Sequence, residues 1–142
     1  MELRVLGAHN AESKTTRLES HLIDKVLVLD AGGLTRSLTF EEQAGIRAVI
    51  LSHRHFDHVR DLLPLGVGLL TSGKTIDVFA IEDTVKFVTK NLLDGSLYPD
   101  FRIFPSPENP VFRFRTIEFY KEFQVLGYNV MAVPVYHAVP AA

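Results

Sequence analysis

The segment Ser52-His53-Arg54-His55-Phe56-Asp57-His58 places three histidines and an aspartate within six residues, directly behind the apolar run Ala48-Val49-Ile50-Leu51. Imidazole nitrogens and carboxylate oxygens are ligands for first-row metals, zinc above all. In an extended chain His53 and His55 point to one face, while the residues of a following turn swing away. One metal can then be held by the histidine pair and a second, beside it, by Asp57 and His58. The plain alternative is a histidine-rich polar turn with no ligand, but uncompensated imidazoles crowded beside a core strand are costly to desolvate. The feature therefore asks for an architecture in which a buried strand ends at an accessible metal site.

The rest of the chain has to supply that frame. With 142 residues, a single domain over 1–142 is expected, long enough to bury a core. Hydrophobic residues make up 46% and charged residues 23%, which excludes a disordered chain. No apolar run is long enough to span a bilayer, so no membrane partner is expected. The start Met1-Glu2-Leu3-Arg4 lacks the basic and apolar regions of a secretory signal, and a cytoplasmic protein is expected. The absence of cysteine excludes thiolate ligands and disulfides, leaving histidine and carboxylate as the strong donors. A net charge of −2 gives no overall basic field, so nucleic acid is the less favoured partner.

Glu2 to Leu6 alternates and closes at Gly7 as a first strand, and His9 to Arg17 reads as an exposed polar loop. Leu18 to Asp30 predicts a hairpin with its turn at Asp24-Lys25 and a second strand, Val26 to Leu29, buried on both faces. Thr39 and Glu42 have capping-box spacing and start a short helix ending near Gly45. Ile46 to Leu51 is a buried strand that delivers the chain to the histidine motif. Beyond it, Val59, Leu62, Leu63, Gly66, Leu69 and Leu70 recur at helical spacing, and Pro64 among them predicts a late helix start or a kink. Ile76 to Ala80 is a strand, Glu82 to Leu93 a helix, and Phe112 to Arg115 a half-exposed strand. A last strand over Val130 to Val135 ends at Tyr136-His137. Strands and helices in this order predict an α/β layered fold.

His53-x-His55-x-Asp57-His58, set between a hydrophobic strand and an apolar amphipathic stretch, resembles the metal-binding signature of the metallo-β-lactamase fold superfamily. The resemblance implies an αββα sandwich and a metal-dependent hydrolase. It makes His137, at the end of a strand well downstream, the third histidine beside His53 and His55, with a fourth position open to water. It assigns Asp57 and His58 to a second metal, with Asp57 also placed to manage a proton. Asp30, in Val28-Leu29-Asp30-Ala31-Gly32, resembles the aspartate that supports the metal-binding loop from behind, its alternative being a turn aspartate before glycines. The implied cofactor is zinc, two ions in the complete site, while manganese or iron suits the same donors.

Val28 to Gly32, together with Leu97-Tyr98-Pro99-Asp100-Phe101, looks most like the class II cyclic-nucleotide phosphodiesterase branch, although that branch usually has glycine where Asp61 stands. The tRNA-processing endonuclease branch typically has glycine where this chain has Phe56. The implied chemistry is metal-activated water attacking a small anionic phosphodiester, a cyclic nucleotide being the candidate. Superfamily members continue past the equivalent of His137 to a bridging aspartate, a final histidine and a second sheet, whereas five residues follow His137 here. The expectation is the N-terminal half of the sandwich: a fragment of a longer enzyme, a chain completed by a partner, or a reduced relative that binds metal or nucleotide without turnover. An unpartnered half-sandwich exposes apolar strand faces, so a homo-oligomer is expected.

Overall fold

The computed structural model describes residues 1–142 and is organised on a six-stranded sheet. Its strands, in both sequence and spatial order, are β1 (Leu3–Gly7), β2 (Ser20–Ile23), β3 (Leu27–Leu29), β4 (Ala48–Ile50), β5 (Ile76–Ile81) and β6 (Phe112–Ile117). β1 to β3 pair antiparallel and β3 to β6 parallel. The β2–β3 turn falls at Asp24 and Lys25, whose φ values of 45° and 63° are those of a turn that matches the right-handed twist of its strands.

Five helices connect the strands: α1 (Leu34–Ser37), α2 (Phe40–Gly45), α3 (Phe56–Val59), α4 (Leu62–Leu69) and α5 (Glu82–Asn91). α2 begins as its sequence predicts, with the Glu42 amide donating to Thr39 Oγ1 at 3.2 Å and the Thr39 amide donating to Glu42 Oε2 at 2.8 Å. Pro64 lies in the first turn of α4, where a missing N–H costs no intrahelical bond, so the proline marks a late start and no kink. α1 had no strong sequence signal. One face of the sheet, with Val28, Val49 and Val78 in register and fully buried, packs against Leu62, Leu65 and Leu69 of α4, and Phe101 and Phe112 join the same core.

The opposite face carries a two-stranded antiparallel sheet, β7 (Glu122–Val125) and β8 (Tyr128–Met131). Phe123, Val125 and Val130 pack on Leu27, Ala48 and Phe79, with the Phe79 and Phe123 rings stacked at 5.5 Å. Two expectations need correction here. A second sheet is present in part, as this hairpin, and the last strand is Tyr128–Met131, not Val130 to Val135. The turn needs only Leu126 and Gly127, both at positive φ (51° and 89°), so Tyr128 already belongs to the strand. Pro134 cannot donate to a ladder, and the chain from Val133 to His137 is irregular. No helix is long and apolar enough to cross a membrane.

Candidate metal centre

Parallel strands β3 and β4 end side by side, and their C-terminal extensions build the site, as is usual for open parallel sheets. The Asp30 amide donates to Ile50 O at 2.9 Å, which carries the pairing one residue beyond β3. There Asp30 turns into the left-handed region with φ 56° and aims a buried carboxylate at the motif loop. Its Oδ1 accepts the Ser52 amide at 2.8 Å, and its Oδ2 accepts Ser52 Oγ and His58 Nδ1, each at 2.8 Å.

The backbone beside Asp30 fastens the same loop. Ala31 donates to His58 O and accepts from the Asp61 amide, both at 2.7 Å. Gly32 lies so close to the loop that a Cβ there would come within 1.7 Å of Asp57 O. Asp-x-Gly is thus a clamp with a charged end, a double backbone grip and a contact that only glycine permits. Asp61 is buried as well, and its Oδ2 accepts Thr35 N and Thr35 Oγ1 at 2.8 and 2.7 Å. It thereby serves the first turn of α1, whose N-cap Gly33 has no side chain to do so.

The clamp sets the histidine tautomers. When Ser52 Oγ gives its proton to Asp30, the same oxygen accepts from His53 Nδ1 at 3.0 Å, which leaves His53 Nε2 with a free lone pair. That nitrogen lies 3.1 Å from His55 Nδ1, and His137 Nε2 lies 3.1 Å from the same atom. The three ligand nitrogens all fall within 4.8 Å of one another. A tetrahedral zinc site with bonds of about 2.05 Å has nitrogen–nitrogen edges of about 3.3 Å. His55 Nδ1 has one proton or one lone pair to offer and cannot satisfy both neighbours with well-aligned hydrogen bonds. A divalent cation accepting all three lone pairs resolves that conflict, so the residues present fit a metal.

Protonation follows from these surroundings. His53 is only 5% exposed, and burial, with the nearby His58, His137 and His55, pushes its imidazole down to about 4. It is neutral, and ready to ligate, at pH 7. For His58 burial opposes the cation, but the hydrogen bond and charge of Asp30, with Asp57 and Glu19, outweigh it and raise its pKa. His58 Nε2 stands 3.3 Å from Asp57 Oδ2. These two form a pair beside the cluster of three donors, His53, His55 and His137.

The structure therefore brings His53, His55 and His137 together, sets Asp57 and His58 beside them, and places Asp30 behind the loop. His9 and His21 stay outside: His9 contacts Arg17 O in the exposed loop, and His21 pairs with Glu19 at 2.5 Å. Ser52 and Gly32 were not singled out in the sequence as site residues, because both act through contacts that span 22 or more positions along the chain.

Comparison with known proteins identifies the fold and the family. Three solved structures share the fold: the metallo-beta-lactamase fold protein YhfI from Bacillus subtilis (TM-score 0.75, 17% identity), unliganded yeast PDE1 (0.74, 12%) and a diphosphatase of the PhnP family (0.65, 18%). Each alignment covers 98% of this chain and 54%, 58% and 59% of the other, respectively, so the chain spans somewhat over half the length of these relatives. No curated protein matches at the level of sequence. Residues 22–141 match the family model described as the beta-lactamase superfamily domain. With that match running from the β2–β3 hairpin through the histidine cluster, the chain belongs to the beta-lactamase superfamily and carries its metallo-β-lactamase fold.

Proposed function

We propose that this chain forms the metal-binding part of a divalent-metal-dependent hydrolase that cleaves a small anionic phosphodiester, a cyclic nucleotide being the leading candidate. The observation that carries the reading is the convergence of His53, His55 and His137, one ligand nitrogen from each lying within 4.8 Å of the others. Zinc is the proposed ion, since three imidazoles with an open fourth position match its catalytic sites. Bound there, such an ion supplies an activated water near neutral pH and a positive centre for a phosphoryl oxygen. Asp30 and Ser52 hold His53 in its ligating tautomer. Asp57, with a partly exposed carboxylate 3.3 Å from His58 Nε2, is the proposed proton acceptor and, with His58, the proposed pair of ligands for a second ion. The diphosphatase neighbour makes phosphorus a reasonable electrophile for the fold.

Metal or nucleotide binding without turnover is the second reading. It is favoured by the donor cluster itself, which gathers His53, His55 and His137 and leaves the Asp57–His58 pair outside it. One experiment separates them. Elemental analysis of protein purified without chelator, alongside hydrolysis of bis(4-nitrophenyl) phosphate, is expected to give bound zinc and metal-dependent turnover. His55→Ala is expected to lower that turnover by more than about 100-fold, beyond the typical effect of groups that merely support ligands. Bound metal without turnover would leave the binding reading in place.

A further inference from the structure

A cavity of about 410 Å³ opens directly beside His55, walled by Arg54, Phe56, Phe87 and Val139 among others. Its size suits a small organic group. Phe56 follows His55 in sequence and opens α3, yet it is 64% exposed, and Phe87 of α5 is also exposed. A single exposed phenylalanine is unremarkable. Two that border one cavity with a histidine of the metal cluster are a different matter, because neither belongs to the core clusters and both meet whatever enters that cavity.

The charges around the cavity narrow what that is. Arg54 Nε pairs with Asp83 Oδ2 at 2.8 Å, and its guanidinium lies 4.9 Å from the centre of the Phe87 ring. The ion pair cancels the formal charge at the wall while the cation contact steadies the ring. An anionic group is drawn to the metal centre, and the adjoining cavity is left neutral and aromatic. We propose that it receives the planar aromatic group of the substrate, of nucleobase or aryl kind, stacked against Phe56 and Phe87 while the phosphoryl group meets the metal. This proposal rests on the hydrolase reading above and adds a selecting subsite to it.

The test is equilibrium binding of phenylphosphonate and methylphosphonate to the zinc-loaded full chain, followed by calorimetry. The wild type is expected to bind phenylphosphonate about tenfold or more tightly than methylphosphonate, the scale of one aromatic stacking contact. Phe56→Ala, at an exposed position that leaves the core intact, is expected to lose most of that preference with little change for methylphosphonate, and Phe56→Tyr to keep it. Equal affinities in the wild type would overturn the proposal. So would a preference that survives both Phe56→Ala and Phe87→Ala. Aryl preference without phosphodiester hydrolysis would reject the hydrolase reading and keep the subsite, whereas hydrolysis without aryl preference would reject the subsite alone.

Discussion

Gly32, the buried His53 and the half-buried His58 show how much of the centre is decided by single residues. Replacing Gly32 by alanine puts a methyl group within 1.7 Å of Asp57 O, so the motif loop has to move away from Asp30. Zinc affinity is expected to fall at least tenfold, with a stability loss of about 1–3 kcal/mol, read by competition with a chromophoric chelator and by urea titration. The imidazoles govern the pH dependence of the metal-free protein. His53, held down to about 4, stays neutral in the folded chain while the unfolded chain takes up a proton below about 6.5, so its contribution falls as pH drops through that window. His58, raised above its ordinary 6.5, has its stabilising effect fully present below that value and loses it as pH climbs through the folded pKa. Together they predict a maximum of metal-free stability near pH 6.5, measured as the urea midpoint from about pH 5 to about pH 8. A midpoint that rises steadily across that range would contradict the assignment to His58. The ligands themselves were legible because histidine and aspartate were packed into one short motif. Ser52 and Asp61 were not, since a serine and an aspartate show their purpose only when Asp30 and Thr35 arrive from elsewhere in the chain.

At the level of elements, what could be read from the sequence was what local chemistry determines. Asp24-Lys25 made the β2–β3 turn, and the reciprocal Thr39–Glu42 bonds made the start of α2, both from residues within a few positions. The last strand lies at Tyr128–Met131, although Val130 to Val135 reads as an apolar strand by composition. Its true limits depend on a two-residue turn with Leu126 at positive φ, an unusual demand on leucine, and on Pro134. Among the contacts that hold the hairpin in place is Phe123, stacked on Phe79. Phe123→Ala is expected to destabilise the protein by about 2 kcal/mol, and the Phe79 and Phe123 double-mutant cycle to return about 0.5–1.5 kcal/mol of coupling. Coupling near zero would place the hairpin's anchorage elsewhere.

Taken whole, the molecule has unequal layers: six strands face a hairpin of two. β7 and β8 cover the region around β3 to β5, while Leu3 and Val5 at the β1 edge, Met131 at the end of β8, and Val133 and Val135 beyond it remain exposed. Apolar surface of this kind favours association. Sedimentation at micromolar concentration is expected to show species larger than a monomer, and a single monomer boundary would count against it. The clamp formed by Asp30, Ala31 and Gly32 has a thermodynamic consequence as well. The loop bearing His53 and His55 is fastened by hydrogen bonds that involve no metal, so the entropy of arranging those ligands is lost once, when the chain folds. In small zinc modules the ion's binding energy is consumed in ordering the polypeptide. With His53 and His55 held in advance, less of a divalent ion's binding energy would go into ordering the chain, and an ion would come as a guest to a chamber largely built.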